Sequence, residues 1–509
     1  MMRTTVWAGF ALLLAACATP YGRATSSEDR AAVWFDEHRQ RPTIVRMFLQ
    51  RMPKGGDIHT HLSGAVYAES YVEWAAAANP PLCADPASRK IAACCATCPG
   101  RPVADALRDP AFYSSLVDDM STRNLGSRSG HDQFFGVFGR FRDAAANRSV
   151  DMLAEVTSRA ADQHVSYLEV MLTVGGDAVR KVGASVPFDP GDLAGSRQRL
   201  LDAGLRAPVS AALEDLDALE HAVSERLGCA GDGRPPACRV IRRYLQQTTR
   251  TLEPGVVFAQ LAFAFELARA GRRVVGINLV APEDDRVARR DYDLHMRMVG
   301  WLAEQYPAVN VALHAGELTM GLVPPADLAF HIRNAVLVAR ARRIGHGVAI
   351  AYERDAPELL AAMRQRDVLV EICLTSNDVI LGVKGRDHPL MDYLGAGVPA
   401  ALATDDEGIS RIDLTNEYVR AAQTYGLGYR ELKRMARQSL AHSFLAGRSL
   451  WRDGASFERV PECAADGPSE PPSAGCRAFL DRSDKAHVQW EHERELTTFE
   501  SMEWAAGIR

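Results

Sequence analysis

The chain has 509 residues, of which 47% are hydrophobic and 24% are charged, and its formal net charge is −5. This composition is ordinary for a globular protein with a sizeable core, and the length allows one large α/β domain or two to three smaller ones. The small net charge gives no electrostatic basis for binding nucleic acid or an anionic membrane surface.

An apolar run opens the chain and is too short to span a bilayer as a helix, so residues 1–16 predict a secretion signal. Its last residues, Leu-Ala-Ala-Cys ending at Cys17, resemble a bacterial lipoprotein box, in which Cys17 is lipidated and begins the mature protein. An ordinary secretory signal cleaved nearby is the alternative. Ala18 resembles the signal for the outer membrane. We therefore expect a lipoprotein on the periplasmic face of a bacterial membrane, held there only by its lipid.

Eight short apolar runs follow, and helix-length stretches separate most of them. Because the runs are rich in β-branched residues and leucine without strict alternation, they suit parallel strands buried on both faces. The predicted strands cover residues 56–62, 165–172, 240–248, 274–280, 309–314, 341–346, 369–374 and 399–403. Eight strands separated by helices predict an α/β fold, namely a (β/α)₈ barrel of the TIM type.

The remaining chain is interpreted as a tether, two long helices and three interruptions. Residues 17–35 are expected to form a flexible tether, and residues 36–509 a single catalytic domain. Apolar residues at helical spacing mark residues 284–305 and 415–444. The segments that interrupt the barrel rhythm, and which we interpret as insertions, are 76–108, 174–239 and 447–485.

Eight of the ten cysteines cluster in loop-like stretches rich in Pro, Gly and Ala. In an exported protein such clusters predict disulfides that staple surface insertions. The candidates are Cys83, Cys94, Cys95, Cys98, Cys229, Cys238, Cys463 and Cys476. Spacing leaves the pairing of the first four open, and a zinc knuckle at residues 94–98 is the alternative. Cys373, inside an apolar run, predicts an inert core thiol.

Four separated polar motifs each end an apolar run, and in such a barrel the chemistry lies where strands end. The motifs are His59-Thr60-His61, His314-Ala315-Gly316-Glu317, Arg343-Ile344-Gly345-His346-Gly347 and Thr404-Asp405-Asp406. Together they supply the imidazoles and carboxylates that hold a catalytic zinc. The alternatives for single motifs are a chance His-x-His, a core histidine beside a solvated acid, and acids that cap the next helix.

With Met52-Pro53-Lys54-Gly55 and Thr375-Ser376-Asn377, these motifs resemble the adenosine deaminase family. The opening Met-Pro-Lys-Gly is also similar to its secreted, growth-factor-type branch. The resemblance extends patchily from about residue 52 to about residue 444. It implies a zinc-dependent barrel that hydrolyses adenosine, or a related 6-aminopurine nucleoside, to inosine or its analogue and ammonia.

The resemblance implies a role for each matching position. One zinc ion per chain would be held by His59, His61, His314 and Asp405. The catalytic residues would be Glu317, which donates a proton to ring N1, His346, which orients or deprotonates the activated water, and Asp405. The substrate, a purine nucleoside, would be contacted by His61, Ser63, Phe134, Phe135, Phe138, Ala281 and Asp406, the last at purine N7. The three phenylalanines could equally be a helix face in the core.

Two positions depart from the family pattern. Ser63 stands where the family commonly has an aspartate against the ribose 5′-hydroxyl. Ala281 stands where the family has a glycine whose amide meets the purine. Both changes affect sugar and purine-edge contacts and leave the zinc chemistry intact, so a modified adenosine is a possible substrate.

Three other functions compete with this interpretation. A binuclear amidohydrolase needs a bridging lysine or carboxylate at the end of the fourth strand, where this chain has Asn278. A cytidine-deaminase site needs His-x-Glu with Pro-Cys-x-x-Cys, which is absent from the sequence. A lipid-tethered nucleoside-binding or growth-regulating protein without catalysis is the third, and the complete set of ligands with Glu317 and His346 favours an enzyme over it. The sequence makes no prediction of the oligomeric state.

Overall fold

The computed structural model describes residues 26–97, 99–502 and 504. The predicted signal at residues 1–16, the lipidation candidate Cys17 and the disulfide candidate Cys98 lie outside these residues. Within the described part of the chain, no helix combines the length and the apolar character needed to cross a membrane.

The predicted flexible tether is wrong for residues 27–35, which belong to the helix Ser27–His38. Ser26 caps this helix, since its hydroxyl accepts a hydrogen bond from the Asp29 amide at 3.0 Å. The helix buries Phe35 completely and stacks against the body of the domain. Burial of this apolar face supplies the free energy that holds the segment in place.

Eight parallel strands form one sheet whose strand order follows the chain order. They are β1 (Gly55–His61), β2 (Val165–Leu172), β3 (Ile241–Thr249), β4 (Val274–Val280), β5 (Asn310–Ala315), β6 (Arg343–His346), β7 (Leu369–Ile372) and β8 (Ala400–Leu402). The residues just after β8 meet β1, because the Asp405 amide donates to the His59 carbonyl at 2.9 Å and the His61 amide donates to the Asp405 carbonyl at 3.1 Å. The predicted TIM-type barrel is confirmed.

Helices cover the outside of the barrel, and side chains of the strands themselves fill its interior, so the strands are buried on both faces. The α-helices are Ser27–His38, Pro42–Arg51, Leu62–Ala65, Ala68–Ala76, Pro110–Asp119, Gly130–Ala145, Ser149–Asp162, Gly176–Ser185, Leu193–Asp202, Arg206–Arg226, Pro254–Ala270, Arg286–Arg290, Tyr292–Gln305, His331–Leu337, Ala356–Gln365, Leu374–Leu381, Leu390–Gly395, Glu407–Ser410, Leu414–Tyr425, Tyr429–Ala441, Ala474–Leu480 and Asp484–Glu500. Each of the two long helices predicted from periodicity is in fact a pair. The second pair is separated at Gly426, whose φ of +72° lies in the left-handed region and ends the first helix.

The three predicted insertions have different structures. Residues 76–108 contain a small antiparallel sheet of three short strands, Leu82–Ala84, Ile91–Ala93 and Arg101–Pro102. Residues 174–239 were interpreted as an insertion throughout, which is wrong in part. The helix Arg206–Arg226 in this segment packs between Ser149–Asp162 and Pro254–Ala270 and so belongs to the outer layer of the barrel.

The third segment, residues 447–485, closes the end of the barrel opposite the strand C-termini. Leu450 and Trp451 of this segment, with Trp490 of the helix that follows, pack in one apolar cluster with Tyr167 and Leu369 near the starts of β2 and β7. This end of the barrel is therefore filled with apolar side chains, and the polar motifs lie at the other end.

Three disulfides join members of the predicted cysteine set within the described residues. They are Cys83–Cys94, Cys229–Cys238 and Cys463–Cys476, and each closes a short loop in one of the three segments. Because Cys94 is in a disulfide, its thiolate is not available to a zinc knuckle at residues 94–98. Cys373 is a free, fully buried thiol, as predicted, and burial raises its pKa well above the usual range.

Candidate active site

The four predicted metal ligands converge at the C-terminal end of the barrel. His59 and His61 end β1, His314 lies on β5, Asp405 follows β8, and one donor atom from each lies within 4.8 Å of the others. Asp405 Oδ1 is 3.4 Å from His59 Nε2 and 3.3 Å from His61 Nε2. The Nε2 atoms of His61 and His314 are 3.2 Å apart. Three imidazole nitrogens and one carboxylate oxygen at this spacing could hold a metal ion, and this donor set fits a catalytic zinc site.

Hydrogen bonds on the far side of two ligand rings aim their Nε2 atoms at this point. His59 Nδ1 donates to Glu371 Oε2 at 2.5 Å, and His314 Nδ1 donates to Asn278 Oδ1 at 2.8 Å. This arrangement leaves a lone pair on each Nε2. His59 Nε2 is buried and has no hydrogen-bond partner among the described residues. An orphaned buried nitrogen in an imidazole-rich cluster fits a divalent metal ion.

A buried charge network supports His59 from behind. The Arg343 guanidinium contacts Glu371 Oε1 at 2.7 Å and Glu169 Oε2 at 2.7 Å, and all three side chains are fully buried. Burial opposes protonation of His59, but Asp405 and Glu371 raise its pKa to about 10 in the metal-free chain. A metal must displace this proton, so its affinity for the site falls as the pH falls.

Glu317 is a buried carboxyl group that lies beside the four candidate metal ligands. Its side chain is 8% exposed, and its Oε1 is 3.6 Å from His346 Nε2. Burial, and after it the charge of Asp405, raises the pKa of Glu317 well above its usual range. The carboxyl therefore keeps its proton near neutral pH and can act as an acid.

A second buried carboxylate, Glu283, fixes the backbone of Glu317. It accepts hydrogen bonds from the Gly316 amide at 3.1 Å, the Glu317 amide at 2.8 Å and His331 Nδ1 at 2.6 Å. The φ of Gly316 is +72°, a left-handed conformation that glycine adopts without strain and that lets the chain turn tightly before Glu317. Glu283 was not predicted from the sequence, because it lies on a loop after β4 and outside the four polar motifs.

We expect Glu283→Gln to reduce kcat by about 10- to 100-fold, because one of its two backbone N–H partners loses its acceptor and Glu317 shifts. The metal content should stay at the wild-type value, since Glu283 contacts none of the four ligands. Kinetics and metal analysis of the purified variant check this. Glu353→Gln is the control, because Glu353 is also a buried carboxylate that accepts a backbone amide, from Ile332 at 2.6 Å, outside the cavity. A wild-type kcat in folded Glu283→Gln would contradict the assignment.

A chain of hydrogen bonds sets the tautomer of His346. The Leu390 amide donates to His388 Nδ1 at 3.1 Å, so neutral His388 carries its proton on Nε2 and donates to Asn377 Oδ1 at 3.0 Å. The Asn377 amide then donates to His346 Nδ1 at 2.9 Å. Burial lowers the pKa of His346 to about 3, so the ring is neutral with its proton on Nε2, facing Glu317. Of its two expected roles, this arrangement supports orienting the water by donation.

Asp406 points into the cavity beside the ligand Asp405. Its Oδ1 is buried without a hydrogen-bond partner among the described residues, and burial with the charge of Asp405 raises its pKa well above the usual range. Gly64 allows this position, because a Cβ at residue 64 would lie 1.4 Å from Asp406 Oδ1. A protonated Asp406 is available to donate a hydrogen bond to a ring nitrogen.

A cavity of about 450 Å³ extends from the four candidate metal ligands to solvent. It is lined by every predicted substrate contact, namely His61, Ser63, Phe134, Phe135, Phe138, Ala281 and Asp406, together with Arg142, Gln247, Thr249, Val280, Pro282, His314, Glu317 and Asp405. The phenylalanines lie on the helix Gly130–Ala145 and also pack against the core. Three of these lining residues, Arg142, Gln247 and Thr249, were not predicted from the sequence.

Ala281 lines the cavity with a φ of +83°, a left-handed conformation that costs an alanine about 1 kcal/mol or more. We expect Ala281→Gly to raise the free energy of unfolding by about 1 kcal/mol. Ala211→Gly, at an exposed interior position of the helix Arg206–Arg226, should lower it by about 1 kcal/mol. Denaturant unfolding of both variants measures these changes, and a loss of stability in Ala281→Gly would contradict the backbone assignment.

Comparisons with known proteins agree with this site. Residues 216–449 match the sequence model of the family described as adenosine deaminase. An adenosine deaminase of Enterococcus faecalis is 34% identical over 140 residues, which are 27% of this chain and 38% of that protein. An aminodeoxyfutalosine deaminase of Streptomyces coelicolor is 38% identical over 133 residues, 26% of this chain and 32% of that protein. The chain thus matches about a third of the length of these curated relatives.

A solved structure covers more of the chain. The crystal structure of an arabidopsis N6-mAMP deaminase aligns with 79% of this chain and 96% of its own length, with a TM-score of 0.51 and 21% identity. This likeness shows the shared fold. The residues that match the family model make up less than half of the chain, and the matched relatives include deaminases with different substrates.

Proposed function

We propose that this chain is a zinc-dependent deaminase of the adenosine deaminase family, which hydrolyses the exocyclic amino group of adenosine or a related 6-aminopurine nucleoside. The observation that carries the proposal is the convergence of three histidines and Asp405 beside Glu317, a buried carboxyl whose raised pKa favours its protonated form, in a cavity with an aromatic wall. A metal-ligand set alone would fit many hydrolases, whereas the neutral acid inside the cavity fits protonation of a ring nitrogen.

The residues that would hold the ion are His59, His61, His314 and Asp405, one zinc per chain. Three imidazoles favour zinc over magnesium or calcium, which prefer oxygen ligands. A zinc ion held there would supply a Lewis acid that lowers the pKa of a water molecule toward about 7.

The remaining chemistry belongs to side chains of the chain itself. Glu317 would donate its proton to ring N1, which withdraws electrons from C6 and makes that carbon open to attack. The Nε2–H of His346 would donate a hydrogen bond to the attacking oxygen and orient it. Protonated Asp406 would donate to purine N7. In the balanced reaction a C6–O bond forms and the C6–N bond breaks. The water would supply the new carbonyl oxygen, one proton that leaves with ammonia, and one proton that restores Glu317, whose own proton stays on N1 of the product.

The cavity explains how an apolar base and a polar sugar could both be held. Phe134, Phe135 and Phe138 offer apolar ring surfaces against which a purine could pack. Ser63 and Ala281 contribute a hydroxyl and a backbone amide, without the carboxylate and the glycine of the family pattern. We therefore propose that the substrate is either adenosine or an adenosine that is modified on its sugar or its base.

Ammonia release tests the proposal. Zinc-loaded protein should release ammonia from at least one of a panel of 6-aminopurine nucleosides and nucleotides, and a chelator should stop the release. If zinc-loaded, folded protein turned over none of them, the proposal would fail, and a nucleoside-binding role without catalysis would be favoured.

We further propose that the protein acts outside the inner membrane, as a lipoprotein on the periplasmic face of the outer membrane. The lipoprotein-box resemblance at Cys17 and three disulfides in the described residues support an oxidising compartment. Membrane fractionation with labelled palmitate tests this. The wild type should be labelled and sediment with outer membranes, and Cys17→Ser should be unlabelled and free in the periplasm. Recovery of the wild type in the cytoplasm would overturn the proposal.

A further inference from the structure

We infer that the substrate carries an anionic group, a carboxylate or a phosphate, at the end of the nucleoside remote from the reacting amino group. The side chains that would hold it are Ser63, Arg142, Gln247 and Thr249, here called the outer subsite. The inference rests on the proposed deaminase function, which does not itself require a charge on the substrate.

The cavity has two ends of opposite character. At its inner end His314, Glu317, Asp405 and Asp406 are all at most 8% exposed. At its outer end Ser63, Gln247 and Thr249 are half-buried, and Arg142 is exposed. Every carboxyl group of the lining lies at the inner end, and the one guanidinium lies at the outer end. A ligand that spans the cavity therefore lies beside carboxyl groups at the inner end and beside a cation at the entrance.

Arg142 belongs to the same helix face as the aromatic wall. Phe134, Phe138 and Arg142 are four residues apart on the helix Gly130–Ala145, so their side chains follow one another along one face. Because both phenylalanines line the cavity, the guanidinium stands one turn beyond the surface on which the base would stack. That position suits a group attached to the sugar.

The donors of the outer subsite are uncommitted. In the described part of the chain, none of its four side chains has a hydrogen bond or ion pair with another residue, although two residues away on the same helix the buried Arg140 donates to the Asp119 carbonyl and to Gln133. Two hydroxyls, an amide and a guanidinium, with no carboxylate among them, can surround a carboxylate or phosphate with charge-assisted hydrogen bonds. A neutral ribose is more often bound through an acidic side chain that accepts from its hydroxyls, and the outer end has none.

Binding measurements separate this inference from the catalytic proposal. Metal-loaded Glu317→Gln protein would be titrated by calorimetry with adenosine, with its 5′-phosphate and with its 5′-carboxylic acid. We expect at least one anionic ligand to bind about 10-fold more tightly than adenosine, and the ratio to shrink in high salt. Whichever anion shows the larger ratio identifies the source of the charge.

The variants test whether Arg142 causes the preference. Arg142→Gln in the same background should reduce the anion-to-adenosine affinity ratio by about 10-fold, and Arg142→Glu should invert it. Arg206→Gln, which removes an exposed arginine outside the cavity, should leave the ratio unchanged. Equal affinities for all three ligands, or a ratio that Arg142→Glu does not alter, would overturn the inference even if adenosine were deaminated. A retained ratio without any ammonia release by the wild type would instead overturn only the deaminase proposal.

Discussion

Glu317→Gln should lower kcat/KM for any deaminated substrate by about 10³-fold, because glutamine keeps the shape of the side chain but has no proton to give to the ring nitrogen. The variant should retain one metal ion per chain, since Glu317 is not among the four ligands. Steady-state kinetics with parallel metal analysis gives both values. Full activity in metal-loaded Glu317→Gln would show that another group protonates the ring.

The pH dependence of the rate is a second test of the role of Glu317. Burial raises the pKa of Glu317, so the acid form persists at neutral pH and is lost only as the pH rises through that raised value. The wild-type rate should therefore fall on the alkaline side because Glu317 ionises. In Glu317→Gln the low residual rate should lack this alkaline limb. An unchanged limb in the variant would assign it to a different group.

Asp405→Asn should abolish high-affinity metal binding and lower kcat/KM by at least about 10³-fold, which corresponds to about 4 kcal/mol of transition-state stabilisation. Asparagine removes the only negative charge in a ligand set whose other three members are imidazoles. It is expected to preserve the fold, because asparagine tolerates the φ of +59° at this position and can still accept from the Ser376 hydroxyl, now 2.6 Å from Asp405 Oδ2.

The neighbouring residue supplies a matched control. Asp406→Asn carries the same chemical change one position along the chain, but Asp406 is outside the ligand set. It should keep one metal ion per chain and lose activity through its contact with the base. If Asp405→Asn bound metal as tightly as Asp406→Asn, Asp405 would not be a ligand.

The barrel could be predicted from sequence because strands buried on both faces leave continuous apolar runs. All eight observed strands begin and end within two residues of the predicted bounds. Two features were missed for physical reasons. Periodicity continues across a short helix break, so Gly426 was not recognised as a helix end. The helix Arg206–Arg226 has apolar positions on a narrow face within a polar, disulfide-containing segment, so it was assigned to an insertion.

The site residues at strand ends could be predicted from the sequence. The residues that hold them in place by hydrogen bonds from distant loops could not. The three histidines lie at or near the ends of β1 and β5, Asp405 follows β8, and closure of the barrel brings them together. Glu283 and His388 act on Glu317 and His346 from loops, and no local pattern marks them. Glu371 could have been recognised, because it is a lone acid inside the apolar strand β7. A charge in a buried strand requires a partner, so its presence indicates a buried ion pair or hydrogen bond.

The anomalous scattering of crystals grown with zinc, measured on both sides of the zinc absorption edge, shows whether these four residues hold a zinc ion. The account predicts one peak per chain, about 2.0–2.2 Å from the Nε2 atoms of His59, His61 and His314 and from a carboxylate oxygen of Asp405. Well-ordered crystals with no peak between these four residues, or with the ion held by other side chains, would contradict it.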